Sequence, residues 1–232
     1  MPLPPATSAL VTPAHWRGLV AAGQELTAAR LHEAYGQGIF PWFSEGQPVL
    51  WWSPDPRMVL HTDAFRLHDS LRKTLRQWRR DERLQVRFDS AFGRVIRHCA
   101  QAPRAGQRGT WIVPEMVTAY EALHAQGHAH SVETWLDGEL VGGLYAVSIG
   151  RALFGESMFA LQRDASKVAL AALVAFARAN DMPWIDCQQN TRHLASLGAR
   201  EVARAEFLRG VQCEVTREPP VWEFASLYWD AL

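Results

Sequence analysis

Cysteine is scarce. Cys99, Cys187 and Cys213 are the 3 cysteines in 232 residues and none belongs to a C-x-x-C pair, which excludes a disulfide framework and a zinc-ligand spacing and fits a reducing compartment. Long apolar runs are missing too: no stretch approaches the roughly 20 residues of a membrane span. The N-terminus MPLPPATSALVTPAHW also lacks the basic-then-apolar order of a secretory signal, so the expectation is a soluble, cytoplasmic chain. Net charge is absent, because 24 Lys and Arg balance 24 Asp and Glu, and only the distribution of charge can speak about nucleic acid. Neither a Walker-type loop nor a G-x-G-x-x-G occurs, so nothing in the chain promises to cradle a nucleotide diphosphate. With 48% hydrophobic and 21% charged residues, what remains is an ordinary globular composition, enough for one large domain or two small ones.

The first two dozen residues, rich in Pro, Ala and Thr, read as an irregular tail. Leu26 to Gln37 has the pattern of a short helix, with Thr27 as N-cap and Gly36 and Gly38 at its end. Phe40, Trp42, Phe43, Trp51 and Trp52 then stand among Pro41, Pro48, Pro54 and Pro56, and that density of proline predicts a rigid, turn-rich segment with short strands. Most such rings form core, yet a ring facing a crevice is also a sequence-tolerant way to stack an unpaired nucleotide, at about 1–3 kcal/mol per base.

Phe65 to Arg83 reads as an amphipathic helix with Leu67, Leu71, Leu75 and Trp78 inward. Its outer face carries Arg72, Lys73, Arg76, Arg79 and Arg80, flanked by Arg66 and Arg83, against Asp69, Asp81 and Glu82. A solvated face is the ordinary explanation, but this is the most positive patch of the chain and suits a phosphate backbone.

Downstream, Leu84 to Phe88 predicts a strand, Ser90 to Ala100 a helix, and Pro114 to Gln126 a helix with proline in its first turn and Gly127 closing it. HSVETWL and ELVGGLYAVSIG flank Asp137-Gly138 and predict a hairpin; with Leu153 to Phe159 they make an antiparallel meander. The helical run Asp164 to Ala179 and the short strand Pro183 to Cys187 follow. In such a strand, helix, strand arrangement, side chains at the carboxyl ends of neighbouring strands converge on one crevice, so Glu156, Asp186 and Gln188 are expected to share a pocket. The alternative is that Glu156 and Asp186 merely cap or pair at strand ends. His193 reads as a helix-cap or core histidine, and Cys187, by alternation, as a packed residue facing away from its neighbours.

At these residues the chain resembles a known family. GESMF at 155–159, ASK at 165–167, IDCQ at 185–188 and H-x-A-S-L-G-A at 193–199 are similar to the leucyl/phenylalanyl-tRNA–protein transferases. Similar blocks lie upstream: YGQGIFPWFSEGQPVLWWSPDPRMVL at 35–60, GTWI at 109–112 and GHAHSVETWLDGELVGGLYAV at 127–147. The order meander, long helix, strand, helix is that of a GNAT-type acyltransferase, so the fold class expected is α+β, with a GNAT-like catalytic domain over 95–232 and a smaller N-terminal α/β domain over 1–94. CoA-dependent members of that fold need a glycine-rich turn before the long helix, whereas here no glycine occurs between Ser157 and Gly198. An acyl donor that arrives already activated resolves this, and no cofactor or metal is expected.

The resemblance implies transfer of Leu or Phe, less readily Met, from aminoacyl-tRNA to the N-terminal Arg or Lys of a protein, which marks that protein for degradation by the N-end rule. It implies that Asp186 fixes Gln188 and supplies basicity, that Gln188 meets the attacking amine, and that Glu156 lies near the incoming cation. Trp42 would help hold the terminal adenosine. Trp111, Leu144, Leu153, Met158, Leu170, Leu173 and Ile185 would wall the pocket for the donated side chain, with ordinary core as the alternative for each. Leu144, Leu153 and Leu173 stand where the family commonly has Met or Phe, which leaves the preferred amino acid open. A monomer is expected. Two rival classes remain, a CoA-dependent N-acetyltransferase and an RNA-binding module without catalysis.

Overall fold

The computed structural model describes residues 2–11, 13–102 and 112–232, apart from the side chain of His15. In chain order the strands and helices are β1 (Leu19–Ala22), α1 (Ala28–Gly36), β2 (Phe40–Pro41), β3 (Leu50–Trp52), β4 (Arg57–His61), α2 (Asp69–Trp78), β5 (Leu84–Phe88), α3 (Phe92–Gln101), α4 (Pro114–Ala125), β6 (Ala129–Leu136), β7 (Glu139–Ile149), β8 (Ala152–Ala160), α5 (Ala165–Ala179), β9 (Trp184–Gln188), α6 (Arg192–Ser196), β10 (Arg200–Val202) and α7 (Arg204–Glu214). A small sheet of order β1-β3-β2 stands beside a seven-stranded sheet of order β10-β4-β9-β8-β7-β6-β5.

Local chemistry accounts for several of these elements. Thr27 caps α1 by accepting from the Arg30 N–H at 3.2 Å. Pro114 opens α4, and Gly127, at φ 78°, turns the chain after it. Asp137 and Gly138, both at positive φ, make the tight turn between β6 and β7. Strands β6, β7 and β8 are an antiparallel meander, α5 crosses over, and β9 returns parallel to β8. The fold is therefore α+β with the GNAT-like order of elements.

Alternation divides the large sheet between two cores. Tyr145, Val147 and Phe154 join the apolar cluster shared with α1, α3, α4 and α7, whereas Leu144, Ala146 and Leu153 join the cluster under α2 and α5. Helix α5 is buried on nearly every side, because Trp222, Phe224 and Tyr228 from the C-terminal segment cover its outer surface around Phe176. Its start lies directly on β7: a Cβ added to Gly142 would stand 2.5 Å from the Ala165 Cβ.

Two features depart from the sequence expectations. The basic helix is Asp69–Trp78, shorter than Phe65 to Arg83, because the Arg66 N–H is spent on the Leu197 carbonyl at 2.8 Å and the Asp81 side chain turns the chain by accepting from the Arg83 N–H at 3.1 Å. Strands β4 and β5 also belong to the large sheet, pairing with β9 and β6, so that sheet takes strands from both sides of residue 95.

Candidate active site

Strands β8 and β9 pair only at Leu153↔Ile185 and Phe154↔Asp186. Beyond those pairs both strands continue without pairing to each other, and the sheet opens. Gly155 marks the last close approach, since a Cβ there would stand 3.3 Å from Ile185 Cγ2. Each strand then bulges. Register against β7 passes from Gly155 to Ser157, leaving Glu156 as the extra residue, and register against β4 passes from Asp186 to Gln188, leaving Cys187. A bulge re-aims the side chains around it, and here it points Glu156 and Gln188 into the opening. Gln188 sits at φ 56°, a left-handed conformation that a residue with a side chain adopts at a cost.

A cavity of about 400 Å³ occupies the opening. Leu144, Met158, Leu170, Leu173 and Ile185 form its apolar wall, and Glu156 and Gln188 are among its polar lining. Trp42 stands at the rim, 36% exposed, placed by its N–H bond to the Leu50 carbonyl (2.9 Å) and by the Trp52 indole N–H donating to its own carbonyl (2.7 Å).

Glu156 is held by one phenol, which a second supports. The Tyr35 hydroxyl donates to Glu156 Oε1 at 2.6 Å, and Tyr35 and Tyr120 share a hydroxyl contact of 2.5 Å. A hydroxyl has one proton, so with Tyr35 donating to the carboxylate, Tyr120 donates to Tyr35. The Gln188 amide reaches the same Oε1 at 3.3 Å. Burial pushes the Glu156 carboxyl up to about 8; the hydrogen bond from Tyr35 opposes that, the Asp186 charge adds to it and Arg57 opposes it again. Burial and the Glu156 charge raise both tyrosines well above the usual phenol range, which keeps them as donors.

Asp186 lives in a different setting. Its side chain and that of Arg57 are both 0% exposed. Arg57 Nε donates to Oδ1 at 2.8 Å and Nη2 to Oδ2 at 2.6 Å, and Oδ1 also accepts the Gln188 backbone N–H at 3.0 Å. Asp186 thus lies behind the cavity wall and outside its lining. It touches Gln188 through the backbone.

Apart from Asp186, the expected site residues fall into four groups. Glu156, Gln188, Trp42, Leu144, Met158, Leu170, Leu173 and Ile185 come together at the cavity. Leu153 is fully buried in the core beneath α5 and is not part of the lining. Trp111 lies outside the described residues. Arg72, Lys73, Arg76, Arg79 and Arg80 are exposed on and just after α2, away from the cavity lining, with Arg79 paired to Asp230 at 3.1 Å. Cys187 is half-buried against the core under α5 but also lines the cavity beside Gln188, so it does not face away from that neighbour as alternation predicted, because the bulge falls on it. Burial followed by the Asp186 charge pushes its thiol up to about 12, which leaves no thiolate to act as nucleophile. His193 is neither cap nor core: Thr191 caps α6 by accepting from the Leu194 N–H at 3.2 Å, and the His193 ring lines the cavity, its pKa lowered by burial and then by Lys167. Sequence reasoning passed over Tyr35, Tyr120 and Arg57, although two of them open or close recognisable blocks, YGQGIF and SPDPR.

Comparison with known proteins shows which family the chain resembles. The family model described as leucyl/phenylalanyl-tRNA protein transferase matches residues 59–212, and the model for that transferase's N-terminal domain matches residues 24–55. The chain belongs to this family. Relatives named leucyl/phenylalanyl-tRNA–protein transferase include one from Polaromonas sp., 63% identical over 212 residues that make up 91% of this chain and 83% of the relative. Another, from Leptothrix cholodnii, is 62% identical over 89% of this chain and 80% of its own. A GCN5-related N-acetyltransferase from Kribbella flavida superposes on 74% of this chain and 60% of its own with a TM-score of 0.34 and 10% identity, too slight a likeness to bear on the fold, which rests here on strand order. Within this member of the transferase family, the cavity lies where the two matched parts meet. Tyr35 and Trp42 come from the first and Glu156 and Gln188 from the second.

Proposed function

We propose that the chain moves Leu or Phe, and less readily Met, from aminoacyl-tRNA to a protein's N-terminal Arg or Lys, forming a peptide bond that marks the protein for degradation. The observation that carries this reading is the pairing, in one cavity of about 400 Å³, of an apolar wall with a carboxyl pushed up to about 8 beside an oriented amide. The wall takes the donated side chain, and Trp42 at the rim offers a stacking surface to the terminal nucleoside. Apolar walls discriminate weakly, by about 1–3 kcal/mol per methylene, in keeping with a donor range that covers Leu, Phe and Met.

In the reaction, the neutral α-amine of the acceptor attacks the ester carbonyl. The C–N bond forms, the ester C–O bond breaks, and the proton lifted from nitrogen ends on the leaving ribose oxygen. Glu156 is the proton acceptor in this reading. Gln188, a neutral amide, orients the amine rather than deprotonating it. An incoming cation favours the ionised form of Glu156, so a basic N-terminal residue helps to create the base that activates it. Asp186 is not the acceptor in this reading, because both of its oxygens are engaged by Arg57 and it lies outside the cavity lining. The basic face of α2 carries the phosphate backbone of the tRNA, and we place the working division of the chain between β3 and β4, where the two matched parts meet.

The test is single-turnover transfer of labelled leucine from Leu-tRNA to a peptide beginning with Arg, beside the same peptide beginning with Glu, for wild type and Gln188→Ala. Transfer to the Arg peptide only, with loss in the variant, is expected. Wild type that binds the tRNA but leaves the label on it would contradict the reading and favour an RNA-binding role.

A further inference from the structure

We propose that Arg57 is a positioning residue for transfer: acting through Asp186, it holds Gln188 in the strained posture that aims its amide at the reacting amine. The inference rests on the transferase reading above. Arg57 opens β4, and its guanidinium lies between the ring of Phe40, 4.8 Å away on β2, and that of Phe207, 4.5 Å away on α7. From there it grips both Asp186 oxygens, at 2.8 and 2.6 Å. Asp186 Oδ1 in turn accepts the Gln188 N–H at 3.0 Å, and the Gln188 side chain reaches Glu156 at 3.3 Å. One fully buried cation thus connects the small sheet, whose Phe40 lines the cavity, to the strand that carries Gln188.

Stability alone is a poor reason for this arrangement. Arg57 Nη1 is buried and, among the described residues, has no hydrogen-bond partner, and a buried ion pair with an unsatisfied nitrogen is commonly no better for a fold than apolar side chains of the same size. What the pair supplies is direction. Gln188 follows the bulge at Cys187 with φ 56°, and the Asp186 carboxylate is what ties its N–H. A lysine cannot reproduce the clamp, since it has neither the two-pronged fork nor a plane to lie between two rings.

Four variants test this: Arg57→Lys, Arg57→Gln, Asp186→Asn and the double Arg57→Gln/Asp186→Asn, each followed by melting temperature, single-turnover transfer rate at saturating Leu-tRNA, KM for the donor, and the pH profile of the rate. Arg57→Lys is expected to slow the single-turnover step by about ten- to a hundredfold, as misplacement of a reacting group by about an ångström does. The donor KM and the midpoint of the pH profile are expected to stay where they are in wild type. The double variant, free of an unpaired buried charge, is expected to be faster than Asp186→Asn. Arg57→Lys at the wild-type rate would overturn the proposal. So would a folded double variant no faster than Asp186→Asn, because the negative charge of Asp186, and not the hold that its Oδ1 keeps on the Gln188 N–H, would then be what the rate needs. Should the double variant melt below the assay temperature, Arg57→Lys alone decides. Absence of transfer by wild type would instead sink the transferase reading and is read separately.

Discussion

Two carboxylates stand on adjacent strands of one sheet, each at a bulge, and their surroundings give them opposite characters. Glu156 faces a cavity and, among the described residues, receives hydrogen bonds from neutral groups, the Tyr35 phenol and the Gln188 amide, and burial raises its carboxyl to about 8. Asp186 faces inward and is matched oxygen for oxygen by a guanidinium. Side-chain type would rank the two alike as bases, but their surroundings raise one carboxyl to about 8 and engage both oxygens of the other with a guanidinium.

The sharpest way to break that contrast is to neutralise each acid in turn. Glu156→Gln should lower the single-turnover transfer rate by about 10²–10⁴-fold, the range for loss of a general base, while leaving stability in acid, where the wild-type carboxyl is protonated in both states, little changed. Asp186→Asn should do the reverse in emphasis. It leaves Arg57 buried without a counter-charge and should lose about 3–5 kcal/mol in urea unfolding, with a smaller effect on the rate of the folded fraction. Equal rate losses and unchanged stability in both variants would erase the distinction.

A second consequence concerns stability against pH. The Glu156 carboxyl is raised in the folded protein, from 4.5 to about 8, so between those values the folded state holds a proton that the unfolded state has released. Its contribution to stability is therefore full below pH 4.5 and lost as pH rises toward 8. Melting curves at pH 6 and pH 9 should show Glu156→Gln gaining on wild type at the higher pH; parallel curves would place the titration elsewhere.

The smallest effect should come from the surface. Arg76→Ala on α2 should reduce the slope of log affinity for tRNA against log salt by about one unit, as loss of one phosphate contact does, and leave transfer from saturating donor unchanged. An unaltered slope would leave the basic face as solvated surface.

Much of this contrast was out of reach of the sequence for a physical reason. Local signals placed what is local: Thr27 at the start of α1, Pro114 at the start of α4, and the Asp137-Gly138 turn of the β6–β7 hairpin. The convergence of Glu156 and Gln188 was also readable, because strand ends on either side of a crossover meet wherever the chain goes. The partners that decide function come from afar. Arg57 and Asp186 are 129 residues apart, Tyr35 and Glu156 are 121 apart, and no periodicity reports such pairings. Bulges are equally silent, since Glu156 and Cys187 become extra residues only against the registers of β7 and β4. Alternation predicted that Cys187 faces away from Gln188 and failed there, because the bulge falls on Cys187 itself. The strand β5 was readable as Leu84 to Phe88, but that β4 and β5 belong to the large sheet escaped for the same reason, as each pairs with a strand far along the chain.

The measurement that bears most directly on Glu156 as proton acceptor is the pH profile of single-turnover transfer for wild type and Tyr35→Phe. A wild-type limb near pH 8 alone is ambiguous, because the acceptor's α-amine titrates at about 7.7–8.0 as well. Tyr35→Phe removes a hydrogen bond to the charged carboxylate worth about 1.5–3 kcal/mol, so it should move a Glu156 limb upward by about one to two units and leave an amine limb where it was. An upward shift is the predicted result. A limb that stays near 8 in Tyr35→Phe, with the protein folded and active, would assign the titration to the substrate and contradict the account.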